Sequence, residues 1–102
     1  MSTYVLLSTL TGEGARTMHS NPARMTEVNK EIEAFGCKVK AQYALLGDHD
    51  FLTMVEASDN ETIAHLSADL ASRGTVKITT YPAVEIGSLI ERMKKPHKLG
   101  HS

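Results

Sequence analysis

Apolar positions along the chain repeat with two different periods, and the switches between them outline its elements. Residues 3–10, TYVLLSTL, form a β-branched and apolar run that ends at Thr11-Gly12-Glu13-Gly14 and reads as a strand covered at least partly on both faces. After a Gly/Ser/Asn loop, Asn21 offers a helix N-cap and Pro22 a first helical position where a missing N–H costs nothing. Met25, Val28, Ile32 and Phe35 then recur at helical spacing, Glu27, Lys30, Glu31 and Glu33 fill the other face, and Gly36 supplies a stop.

Residues 38–46, KVKAQYALL, alternate, with Val39, Ala41, Tyr43 and Leu45 on one face and Lys40, Gln42 and Ala44 on the other. Gly47-Asp48-His49-Asp50 makes a tight connection into FLTMVEA at 51–57, so the second and third strands should be antiparallel neighbours. Ser58 with Glu61 matches a capping box, followed by Ile63, Leu66 and Leu70 on one face and by Gly74 as a stop. TVKITTY at 75–81 is a fourth strand, with Pro82 near its end. Ile86, Leu89, Ile90 and Met93 return to helical spacing before Lys94, Lys95 and Pro96, which predicts a short third helix or arm. A polar tail follows, so that 1–93 would be one domain and 94–102 an appendage.

The order βαββαβ predicts an α+β, ferredoxin-like sandwich: a four-stranded antiparallel sheet with two helices on one face and a short C-terminal helix. The other face then lies bare, although the first and third strands carry apolar residues on both sides. A second copy of the sheet is the simplest cover, with segment 84–93 clasping the same partner. Lys40, Gln42, Lys77, Thr79 and Tyr81 would line the space between two such sheets, the default place for a ligand.

Composition narrows the classes. Eleven Lys plus Arg against twelve Asp plus Glu leave a formal charge of -1, without the basic field that draws proteins onto phosphate backbones, so nucleic acid is not expected as a partner. A single cysteine, Cys37, permits no intrachain disulfide and suits a reducing compartment. The apolar run from Tyr4 to Leu7 is too short for a signal peptide or membrane span, which gives a cytoplasmic expectation.

Five residues are candidate ligand-binding positions. Arg24 sits in the first turn of the first predicted helix near the glycines at 12–14, where a guanidinium and helix amides can hold an anion; alternatively it pairs with Glu27, Glu31 or a partner subunit. Tyr43 and Tyr81 can present hydroxyls into an intersheet space, or pack in the core. His49 and Asp50, with Asp48, put imidazole beside carboxylates at a hairpin tip, but adjacent turn residues rarely converge on one metal, and a structural turn is the favoured reading. His65 is favoured as a solvated helix-surface residue, Cys37 as a buried thiol, and His19, His97 and His101 receive no role.

YVLLSTLTGEG at the start, NPAR at 21–24, AFGCKVKAQYALLG at 34–47 and RGTVKITTYPAV at 73–84, in this order and spacing, resemble the GYD-domain family, named for a Gly, Tyr and Asp near mid-chain. The signature here reads Leu46-Gly47-Asp48-His49-Asp50, with His49 where the family usually has tyrosine. The resemblance implies a ferredoxin-like subunit of the dimeric α/β-barrel type and assigns neither an activity nor a cofactor. Three functions follow as expectations: non-catalytic binding of a small, anionic ligand between the sheets of a dimer; self-assembly into higher oligomers through the C-terminal helix; and, by fold analogy alone, a monooxygenase-like enzyme. Binding ranks first because no reactive group paired with a tuned acid or base is evident.

Overall fold

Strands appear where the alternation places them, and one helix more than expected covers the sheet. The computed structural model describes residues 1–95. Strands β1 (Ser2–Leu10), β2 (Lys38–Ala44), β3 (Phe51–Ala57) and β4 (Val76–Ala83) make one antiparallel sheet in the order β2-β3-β1-β4. Helices α1 (Gly12–Ser20), α2 (Arg24–Ala34) and α3 (Asn60–Ser72) lie on one face, and α4 (Ile86–Lys94) follows β4. The first and third strands are central, as in the expected α+β ferredoxin-like sheet. The polar tail from Pro96 onward, with His97 and His101, lies outside the described residues.

Register explains the core. Tyr4 and Leu6 of β1 face the helices beside Val55 and Thr53 of β3, and meet Ile32 of α2 and Ile63, Leu66 and Leu70 of α3. Burying such side chains supplies the main driving force, about 1.5–3 kcal/mol for each large one. The buried Tyr4 ring keeps its hydroxyl satisfied by donating to Asn60 Oδ1. Cys37 closes this core as a buried free thiol, and burial pushes its pKa up, which leaves it inert.

Four local expectations are corrected. Residues 12–14 are not a glycine loop but the first turn of α1. Thr11 caps it by accepting from the Gly14 N–H (3.1 Å) while its hydroxyl donates to the Gly74 carbonyl (2.7 Å), tying this helix start to the turn after α3. The next helix begins at Arg24 rather than at Pro22, and Asn21 instead caps the C-terminus of α1, its N–H bonding the Thr17 carbonyl. The cap of α3 is Asp59, one residue after Ser58. Finally, the alternation of β2 breaks at a bulge between Val39 and Ala41, where an extra residue shifts the register against β3. Val39 therefore packs toward the helices while Tyr43 points away from them. Gln42, expected on the opposite face from Val39, joins it and bridges the layers, accepting from Asn29 Nδ2 (2.9 Å) and donating to Thr53 Oγ1 (3.2 Å).

Asp59 gives a pH-dependent prediction. The Thr62 backbone N–H, followed by the Thr62 hydroxyl, holds its carboxyl below the ordinary 3.8. A folded-state pKa below the unfolded one means the ionised cap stabilises fully above about pH 4 and loses that contribution as pH falls through the depressed value. Asp59→Asn should keep the cap but flatten this part of the acid limb, read as a smaller change of thermal midpoint between about pH 5 and 3.

Candidate functional site

The five candidate residues do not converge; they divide between the two faces of the sheet and its end. On the open face, Val5 and Leu7 of β1 stand beside Leu52 and Met54 of β3, with Ala41 and Tyr43 on one flank and Thr79 and Tyr81 on the other. Tyr43 and Tyr81 are 60% and 49% exposed, so neither packs in the core, and two central strands separate them. Their hydroxyls flank an apolar centre.

His49 and Asp50 sit at the end of this sheet, and their bonds support the structural reading. β3 begins at Phe51, opposite Ser8, so the last residues of β1 have no strand partner on that side. The connecting segment substitutes: the Asp50 N–H donates to the Ser8 carbonyl (2.8 Å), and Asp50 Oδ2 accepts from the Leu10 N–H (2.7 Å). His49 Nδ1 lies 3.2 Å from Thr9 Oγ1. Asp50 therefore completes the ladder of β1 with a charge-assisted bond. Asp50→Ala should cost about 1–3 kcal/mol and speed hydrogen exchange at the Leu10 amide, because a half-buried donor loses its acceptor. Among the described residues, no three His, Cys, Asp or Glu side chains are grouped to hold a metal.

Arg24 lies on the helix side. Its Nη1 reaches Glu27 (2.8 Å) and Glu31 (3.5 Å), and Glu31 also pairs with Arg73, whose Nη2 bonds Asp69 (2.7 Å). Partial burial works against the charge of Arg73, but its bonds to Asp69 and Glu31 outweigh that and raise its pKa above the ordinary value. Of the amides at 12–14 expected to hold an anion together with Arg24, the Gly14 N–H is engaged by the Thr11 hydroxyl. Arg24 and Gly14 nevertheless border one cavity of about 150 Å³ between the helices and the sheet. The sequence pattern does not reveal this cavity because its walls come from every described element except α4; its one local sign is that Ser8 shares the core-facing side of β1 with Tyr4 and Leu6.

His65 is exposed, with its ring edge-on to Phe35 at 5.0 Å, as expected of a surface histidine on α3. The other prominent surface is α4. Every residue from 84 to 95 is exposed, and Val84, Ile86, Leu89, Ile90 and Met93 give this arm an unpartnered apolar stripe. Glu85 caps it, accepting from the Gly87 N–H at 2.7 Å and the Ser88 N–H at 3.3 Å, so the helix is locally supported where the domain does not cover it. No described helix is long and apolar enough to cross a membrane.

The chain is similar to known proteins in sequence and in fold. The family model of the GYD domain matches residues 4–92. A protein of Thermus thermophilus named as a glutamine synthetase and cystathionine beta-lyase binding protein is 50% identical over 95 residues, spanning 92% of this chain and 100% of the relative. The crystal structure of hypothetical protein PHS023 from Pyrococcus horikoshii is similar with a TM-score of 0.54 at 16% identity, over 100% of both chains, a likeness of fold alone. The match thus runs from the core tyrosine of β1 to the exposed arm, and on that span the chain belongs to the GYD-domain family.

Proposed function

We propose that this protein is a non-catalytic binding protein that docks on a metabolic enzyme, of the kind represented by glutamine synthetase or cystathionine β-lyase, and presents its docking surface from a homodimer. The observation that carries this reading is the unpartnered apolar stripe of α4, a helix capped and held out from the domain with no other described element to cover it. Amphipathic helices of this kind bind by laying the apolar face into a groove. The name and 50% identity of the Thermus relative over its whole length support the enzyme partner.

The dimer rests on the open sheet face. Val5, Leu7, Leu52 and Met54 form a contiguous apolar centre, and a second copy of the same face buries it through an isologous contact. Tyr43 and Tyr81 then flank the intersheet space, and a small anionic ligand held there is a subsidiary part of the proposal.

The test is co-elution on size-exclusion chromatography with light scattering, using glutamine synthetase and cystathionine β-lyase from the same organism. A dimer that shifts one or both enzymes to higher mass, and no longer does so as Leu89→Glu with Ile90→Glu, is the expected result. Both positions are exposed and lie outside the core cluster, so the variant should retain its melting temperature. An unchanged elution of both enzymes at micromolar protein would overturn the enzyme partner, and a monomer mass would overturn the dimer.

A further inference from the structure

Between α1, α2 and the sheet the layers do not meet, and the resulting cavity of about 150 Å³ has the chemistry of a binding site. A space of this size, here open on one side to solvent, accommodates about six carbon atoms, the bulk of a benzene ring. Leu6, Phe51, Val28 and Ile78 give it apolar walls, and Met25 supplies an unbranched side chain that reshapes at low cost.

Its polar groups are unevenly placed. Ser8 and Thr53 lie on the sheet side, while Arg24 and Arg73 contribute from the start of α2 and the end of α3. The carboxylates that balance these arginines, Glu27, Glu31 and Asp69, are not part of the lining. Arg24 meets both of its carboxylates through Nη1. A guanidinium has five N–H donors in a rigid fork and no acceptor, so Nε and Nη2 present donors for a group that accepts. Arg73 is more committed, with one terminal nitrogen on Glu31 and the other on Asp69.

From this geometry we infer that the cavity is the site of a small effector with an apolar body of about six carbon atoms and one hydrogen-bond-accepting end, a carboxylate or an uncharged carbonyl, seated on Arg24. The body lies between Met25 and the floor made by Leu6 and Phe51. The site is on the opposite side of the sheet from the proposed dimer contact and does not depend on an enzyme partner.

The experiment is a titration followed by amide chemical shifts, with 4-methylpentanoate, 4-methylpentanamide and toluene as probes. The acid or the amide should move the amides of Ser8, Thr53 and Val28 with a dissociation constant on the order of 0.1–1 mM, the range expected for so few atoms. Arg24→Met should weaken that probe about tenfold or more and leave toluene unaffected. Ser8→Leu fills the cavity from the rigid sheet side and should abolish binding of all three probes without lowering the unfolding midpoint.

A preference for the acid identifies carboxylate effectors, and a preference for the amide identifies neutral ones; both sustain the assignment. Absence of shifts with every probe, shifts that persist in Ser8→Leu, or equal losses of acid, amide and toluene in Arg24→Met would each overturn it. Because no enzyme is present in the titration, its failure leaves the docking reading intact, and failed co-elution leaves this site intact.

Discussion

Gly14→Ala should unfold the protein at a urea concentration lower than wild type by at least about 1 M, the largest shift expected from adding a single methyl group. A Cβ at this position would lie 1.9 Å from the Thr75 carbonyl oxygen and 2.9 Å from its carbon, both of them backbone atoms that no rotamer change can remove. That same carbonyl accepts the Thr11 N–H at 3.0 Å, and Thr11 is bonded to Gly74 and Gly14, so the start of α1 cannot shift without breaking its own cap. Overpacking of this kind costs about 3 kcal/mol, against a total stability of about 5–15 kcal/mol for a domain. With a denaturant slope of about 1–3 kcal/mol per molar urea, the midpoint shift follows.

Gly12→Ala supplies the control, because in the same helix a Cβ there meets only the Arg16 side-chain tip at 3.6 Å. Alanine favours the helical backbone over glycine by up to about 1 kcal/mol. The two substitutions should therefore differ in sign, and equal effects would show that helix propensity rather than close approach governs this region.

Leu66→Ala is the second large effect. Leu66 is 0% exposed on α3 and is among the largest side chains wholly removed from solvent. It packs in the cluster of Leu6, Val55 and Ile63, and the backbone of Leu6 and Val55 is held in the two central strands and cannot collapse into the space vacated. Loss of the transfer energy plus the cavity term predicts about 3–4 kcal/mol, measured by urea or thermal unfolding. Leu89→Ala, the same substitution on the exposed stripe of α4, should change unfolding by less than about 0.5 kcal/mol. Should it cost as much as Leu66→Ala, α4 would be part of the folding unit rather than a free arm.

The sequence made visible those elements whose signal lies within one segment. Val28, Ile32 and Phe35, or Ile63, Leu66 and Leu70, mark a helix face because burial selects them at a spacing set by the helix itself. Positive φ at Gly36 and Gly74 was equally legible, since stops of that kind favour glycine. By contrast, α1 spans GEGARTMHS, a segment with two glycines and little helix propensity, and owes its existence to Thr11 and to the turn at Gly74, contacts 63 residues apart in sequence. The bulge in β2 was illegible for a related reason: KVKAQYA alternates equally well with or without an inserted residue, and only pairing against β3 reveals it.

The candidate site shows the same division. That Arg24 pairs with Glu27 and Glu31, and that Asp50 serves the turn, could be anticipated from neighbours in the chain. That Gln42 turns toward Thr53, and that Ser8 shares a cavity with Arg24 and Arg73, depends on packing between distant elements. The alternation places Tyr43 and Tyr81 on strands but does not give their shared exposure, because pleat parity names a face without saying what covers it.

The strand order has a consequence for solubility. β2 and β4 form the two margins of the sheet, and each carries an interruption: the bulge near Lys40 in β2, and Pro82, which lacks an N–H to donate, in β4. A foreign strand approaching either margin finds an irregular row of donors and acceptors, so runaway cross-β stacking is disfavoured even at high concentration. Larger assemblies of this chain would have to grow face to face or through the arm rather than by adding strands at a sheet margin.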